Sequence, residues 1–279
     1  MSTLHPTPPA AAIDSELASE AGEDILYEVR DGVGFLTFNR PKSRNAMTFA
    51  MYERMAQICV EAGEKRDIRA LVLTGAGDKA FAAGTDMSQF RVFDTEEDAL
   101  AYEARIDRTL GALERCPIPT VAAIRGACAG GGAGIAACCD LRIAVRTSKF
   151  GFPIARTLGN CLSMTNYARL ADLIGTARAK DMIFRAQMIE APAALEYGFI
   201  TEILDTPEEV SPRAEEIARQ MATYAPLTLQ ATKEAFLRLR PQLPAGGGRD
   251  ILLMCYMSED FHEGMDAFLG KRPPVFKGK

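Results

Sequence analysis

An α/β core followed by a helical C-terminal region is the fold predicted by the residue pattern. Three features carry this. Short apolar runs alternate with helical periodicity from Ile25 to Val145; from Ser163 onward almost every segment has helical spacing; and two glycine-rich segments directly follow two of the apolar runs. The runs are apolar throughout rather than alternating, as expected of strands covered on both faces.

Taken in order, Ile25–Arg30 and Val33–Phe38 flank the turn Asp31-Gly32 and read as paired strands. Thr48–Lys65 reads as a helix, with Tyr52, Met55, Ile58, Cys59 and Ala62 on one face. Ala70–Thr74, Thr120–Ile124 and Leu141–Val145 are buried strands, with an amphipathic helix Asp98–Arg115 and a short helix Ala133–Cys138 between them. Ser163–Leu173, Ala177–Phe184, Pro192–Tyr197, Pro207–Tyr224, Leu227–Leu239 and one last helix, Arg249–Leu269, follow. Pro192 and Pro207 suit a first helical position, where the missing N–H is no loss. The expected organisation is a disordered acidic leader over residues 1–24, a core over 25–205 and a helical region over 206–279.

Composition narrows the function classes. At 279 residues and 48% hydrophobic content the chain can bury a core without disulfides or metals. The net charge of −5 matches the five acidic residues of the leader, so the body is formally neutral and offers no global basic footprint for nucleic acid. The seven cysteines contain no C-x-x-C and sit in apolar runs, which predicts buried thiols and a cytoplasmic setting. No membrane span is expected. With only His5 and His262, no histidine metal cluster is available.

The glycine-rich segments are the candidate site. Lys79–Met87 follows the strand Ala70–Thr74, and Gly126–Gly134 follows Thr120–Ile124. Each lies at a strand's carboxyl end, where α/β sheets bind ligands. One backbone N–H from each could grip a single oxygen, as in an oxyanion hole for thioester or enolate chemistry. Thr74–Lys79 lacks the Gly-Lys-Ser/Thr ending of a phosphate loop, and Gly126–Gly134 lacks the acidic partner of a dinucleotide fingerprint.

At these residues the chain resembles the crotonase superfamily, the enoyl-CoA hydratase/isomerase family. Asn39-Arg40-Pro41 with Asn45-Ala46, then Ala82–Met87, then Arg125–Gly132 with Cys139–Ala144, and the ending Asp260–Gly264 with Phe268–Phe276 match its elements in order. The resemblance implies a spiral of repeated ββα units with a helical C-terminal trimerisation region, and a homotrimer or homohexamer. It implies an acyl-CoA substrate, with coenzyme A as part of the thioester and no separate cofactor. The thioester carbonyl would sit between the N–H groups of Thr85 and Gly131. Ser43, Arg44, Ala46, Ala83, Asp86 and Met87 would line the path of the CoA.

The chain departs from that family's pattern at both catalytic carboxylates. By resemblance, the hydratases' two glutamates fall at Gly134 and Ile154, and neither residue can move a proton. Arg156 is a candidate for pairing a substrate carboxylate. Cys161, in Leu158-Gly159-Asn160-Cys161, stands where the related 4-chlorobenzoyl-CoA dehalogenases place a nucleophilic aspartate. Two classes therefore remain open: an acyl-CoA enzyme whose reaction the sequence does not fix, and a non-catalytic acyl-CoA-binding or assembly protein.

Overall fold

The computed structural model describes residues 13–90, 93, 95–240 and 247–279. Among the described residues ten strands form two sheets: β1 (Ile25–Arg30), β2 (Val33–Phe38), β3 (Ala70–Gly75), β4 (Ala80–Ala82), β5 (Thr120–Ile124), β6 (Ala127–Ala129), β7 (Leu141–Val145), β8 (Lys149–Gly151), β9 (Ile189–Glu190) and β10 (Glu202–Leu204). The larger sheet has the order β1-β2-β3-β5-β7-β10 and the smaller β4-β6-β8-β9. Among the described residues, the pairs β1–β2 and β8–β9 are antiparallel and the others parallel.

The chain builds both sheets at once. After β3, β5 and β7 in the large sheet it crosses to β4, β6 and β8 in the small one, so each turn of the spiral adds one strand to each. The crossings are short, and Gly75 and Gly126 stand at two of them. A Cβ on Gly75 would lie 2.4 Å from the carbonyl oxygen of Ala80, and one on Gly126 would lie 2.3 Å from that of Lys79. Glycine is required where backbone packs on backbone this closely.

Apolar faces explain the layers. The side chains of Val33, Ala70, Val72, Val121, Ala123, Ile143 and Val145 pack on one face of the large sheet against Val210, Ala214 and Ala218 of the helix Pro207–Ala222. Leu36, Phe38, Leu71, Leu73, Ala122 and Ile124 point the other way, into the main core with the helix Phe49–Lys65. This two-sided burial is why the strands read as continuous apolar runs.

The strand and helix expectations hold within one or two residues for most elements, with three differences. Ser15–Ser19 and Gly22–Asp24, expected within a disordered leader, are helical turns. Asp14 caps the first by accepting from the Leu17 N–H at 3.0 Å, and Ala18 and Ala21 are buried. The rest of the expected leader, residues 1–12, lies outside the described residues. The last helix is two, Arg249–Tyr256 and Glu259–Leu269, because Ser258 caps the second by accepting from the Phe261 N–H at 3.0 Å. The small sheet and β10 were not expected at all.

Asn45 locks the first loop of the site to this frame. Its buried side chain accepts from the Arg40 N–H at 3.0 Å and donates to the carbonyls of Ala76 at 3.0 Å and Ala80 at 2.7 Å. Asn45→Ala leaves these groups unpaired, at about 1–3 kcal/mol for each buried group. A drop in the urea midpoint without change in slope is the expected outcome.

Candidate active site

Where β4 and β6 end, the two glycine-rich segments lie side by side. Gly84 has φ 125° and Gly130 has φ 49°, conformations that favour glycine. Gly130 precedes the helix Gly131–Cys138, whose first N–H groups lack intrahelical partners. Thr85 forms an isolated bridge to Met47: the Met47 N–H donates to the Gly84 carbonyl and the Asp86 N–H to the Met47 carbonyl, both at 2.8 Å. Backbone alternation therefore turns the Thr85 N–H away from Met47. Among the described residues, neither the Thr85 nor the Gly131 N–H donates a hydrogen bond to protein.

Both residues line a cavity of about 170 Å³. That is close to the ~150 Å³ known to hold a benzene, so it suits a group of about that size. Its apolar wall includes Met87, Phe90, Ile106, Leu110, Phe152, Ile154, Leu158, Leu162 and Phe268. No Lys, Arg or His lines it among the described residues.

A chain of hydroxyls supports the two N–H groups. The Tyr52 hydroxyl is 3.0 Å from Thr85 Oγ1, which is 3.2 Å from the Tyr102 hydroxyl. A Cβ on Gly131 would lie 2.0 Å from the Tyr52 hydroxyl, so only glycine fits beside it. Burial opposes the ionisation of both tyrosines, which stay neutral hydrogen-bonding groups.

The sequence candidates divide. Thr85, Gly131, Ala83, Met87, Cys161, Gly134 and Ile154 line the cavity. A Cβ on Gly134 would have only Leu110 Cδ1 near it, at 3.4 Å, so that position opens on free space. Ser43, Arg44 and Ala46 do not line the cavity; Arg44 instead braces it from behind, its carbonyl accepting from the Ala83 N–H at 3.1 Å. Asp86 also turns away, pairing with Arg40 at 2.7 Å and capping the Ser88 N–H at 3.0 Å. Burial opposes its ionisation, but those bonds hold its carboxyl below the usual range.

Two expectations need correction. Arg156 is exposed on the helix Ile154–Thr157 and does not reach the cavity, because that helix turns Ile154 inward instead. Cys161 lines the cavity, yet its contact with Cys255 and its burial push the thiol well above its ordinary range. Its Sγ donates to the Ile251 carbonyl at 3.5 Å, the contact of a buried thiol.

The sequence reading missed Glu103. It lies on the helix Glu96–Glu114, 6% exposed, and lines the cavity with Thr85 and Gly131. The Tyr256 hydroxyl donates to its Oε1 at 2.5 Å and in turn accepts from Asn160 Nδ2 at 3.2 Å. Burial pushes the Glu103 carboxyl up to about 8, opposed by the Tyr256 hydrogen bond and aided by Asp107. The signal was present: Ala99, Glu103, Ile106, Leu110 and Leu113 form one buried helical stripe, and a carboxylate interrupts it.

With this geometry established, comparison with known proteins gives the family. The enoyl-CoA hydratase/isomerase model matches residues 28–279, and the chain belongs to that family. It is 32% identical to a short-chain-enoyl-CoA hydratase of Clostridium acetobutylicum, over 89% of this chain and 95% of the relative. It is 33% identical to an (E)-benzylidenesuccinyl-CoA hydratase of Thauera aromatica, over 91% of this chain and 99% of the relative. Among solved structures, a methylmalonyl-CoA decarboxylase in complex with 2-nitronate-propionyl-CoA superposes with a TM-score of 0.82 at 26% identity, covering 91% of this chain and 98% of the other. An enoyl-CoA hydratase from Bacillus anthracis gives 0.72 at 30%, covering 92% and 100%.

Two measurements follow from the site's electrostatics and packing. Because the folded protein holds the Glu103 proton up to about pH 8 while an unfolded glutamate loses it near ~4.3, the contribution of this group to stability is complete below the unfolded value. It declines as pH rises towards 8. Glu103→Gln should flatten that decline in denaturation profiles. Gly131→Ala should lower the melting midpoint, and Tyr52→Phe in the same chain should recover part of the loss by removing the clashing hydroxyl.

Proposed function

We propose that the protein is an acyl-CoA enzyme that polarises a thioester carbonyl between the N–H groups of Thr85 and Gly131. The observation that carries this is the pair of unpartnered N–H groups, brought together at the wall of one small apolar cavity. Two fixed donors in a dry site stabilise an oxyanion without reorganisation as charge develops. The relatives' acyl-CoA chemistry supports the same ligand class. The acyl group would occupy the cavity and the CoA would leave past Ala83 and Met87.

The family's two-carboxylate hydration route finds no carboxylate at Gly134 or Ile154, which contribute only hydrogen and hydrocarbon to the cavity. Chemistry in this site then rests on enolate stabilisation. A group within the cavity that can hold a proton favours an enzyme over a pure binder.

The first experiment is titration of the protein with crotonyl-CoA and with free CoA by calorimetry, followed by the loss of conjugated-thioester absorbance. The thioester should bind more tightly than free CoA, with hydration far below that of Gly134→Glu/Ile154→Glu. Failure to bind any CoA thioester overturns the reading.

We also propose a homotrimer or a dimer of trimers. The helix Pro226–Leu239 has no buried residue, and Leu227, Phe236 and Leu239 on it are 74%, 69% and 77% exposed. Apolar side chains so exposed on one helix suit a contact between copies. Phe236→Asp should lower the mass seen in sedimentation; an unchanged mass would count against this face.

A further inference from the structure

We propose that Glu103 is a catalytic residue, carrying a proton to and from the α-carbon of an acyl-CoA thioester whose carbonyl oxygen is held by Thr85 and Gly131. This rests on the thioester reading above.

Placement is the first argument. Tyr102, the preceding residue on the helix, is tied through its hydroxyl to Thr85 Oγ1 at 3.2 Å. Glu103 follows Tyr102 on the same helix and lines the same cavity as Thr85 and Gly131. Glu103 and both donors line one cavity of about 170 Å³, so an acyl group gripped by the donors would share that small space with the carboxyl.

Orientation is the second. Tyr256 holds Oε1 at 2.5 Å, and among the described residues no hydrogen bond is made to Oε2. One oxygen is thus fixed and the other is left to the cavity. Close by, Asn160 also lines the cavity, and its buried Oδ1 has no hydrogen-bond partner. A buried carboxyl and an unsatisfied amide oxygen are expensive features of an otherwise apolar wall. Among the described residues no ion pair offsets the carboxyl, and its hydrogen bond comes from a neutral phenol.

Electrostatics is the third. Among the described residues, the titratable groups that act on Glu103 are Tyr52 from the helix Phe49–Lys65, Tyr256 from the helix Arg249–Tyr256, Cys161 from the loop before the helix Met164–Ile174, Tyr167 from that helix, and Tyr102 and Asp107 from its own helix. None is cationic. With its proton held to about pH 8, the carboxyl can both donate and accept one near neutrality.

The step balances within the site. The carboxylate takes a proton from C2 of the acyl chain, and the C–H electron pair forms an enolate whose charge rests on the thioester oxygen. Return of a proton from the carboxyl to C2 restores the thioester. No co-reactant is consumed, and one carboxyl suffices where hydration uses two.

The test is exchange of the C2 protons of butyryl-CoA in deuterated buffer, read by mass spectrometry. The native protein should catalyse exchange that rises with pH through an inflection near 8. Glu103→Gln should lose at least about a hundredfold, the lower end for a positioned acid–base group, while butyryl-CoA still binds within about threefold by calorimetry. Tyr256→Phe removes the hydrogen bond that favours the charged carboxylate and should move the inflection to higher pH, giving a readout should Glu103→Gln not fold. Exchange retained by Glu103→Gln, an inflection unmoved in Tyr256→Phe, or bound butyryl-CoA that does not exchange in native protein overturns the proposal. Absence of butyryl-CoA binding would overturn the thioester reading itself.

Discussion

Backbone pressed on backbone sets the geometry of this molecule. Where the helix Gly131–Cys138 begins, a Cβ on Gly132 would lie 2.1 Å from the Ala82 carbonyl oxygen, and one on Gly131 would meet the Tyr52 hydroxyl. The helix can start against the end of β4 only because these residues have no side chains. That contact puts the first turn of this helix and Thr85 on the wall of one cavity. The two-sheet spiral is the means of delivering β4 and β6 next to each other. Neither segment is held by its own hydrogen bonds alone: Met47 bridges the first, and the Gly130 N–H donates to Gly151 on β8 at 2.9 Å.

Polar groups beneath this contact are arranged by burial. The hydroxyls of Tyr52, Thr85 and Tyr102 satisfy one another in a row. Buried ion pairs lie farther out, where Glu114 meets Arg169 at 3.0 Å and Arg240 at 2.8 Å. Burial alone would raise the Glu114 carboxyl, but those guanidinium groups hold it below the usual range. Glu103, on the same helix and facing the same way, has a phenol for a partner and shifts in the opposite direction. Two carboxylates of one helix thus differ in protonation through what faces them.

Much of the large sheet was legible because its strands are buried on both faces and carry an unbroken apolar signal. Ala70–Gly75 and Thr120–Ile124 are strands by composition alone. Ala80–Ala82, Ala127–Ala129 and Lys149–Gly151 are too short for any period to register, and their extended state comes from pairing with one another across the spiral. The oxyanion candidates were legible because glycine marks close approach. Arg156 was misplaced because a four-residue helix gives no periodicity from which to read its inward face. Glu103 was passed over because its helix was read for its apolar stripe, and the one carboxylate within that stripe was not weighed as a member of the site.

The position of Glu103 bears on what the open space at Gly134 means. Leu110, two helical turns from Glu103, lies against Gly134 on the cavity wall. A carboxylate introduced at residue 134 would therefore enter a site that already contains a buried carboxyl, and two such groups sharing an apolar cavity oppose one another's ionisation. The absence of a carboxylate at 134 and its presence at 103 are consistent as a pair: each makes the other tolerable. An acyl-CoA enzyme built this way would exchange a water-activating pair for a single proton carrier. Its chemistry would then be confined to what one carboxyl and one oxyanion site accomplish together, the making and quenching of an enolate.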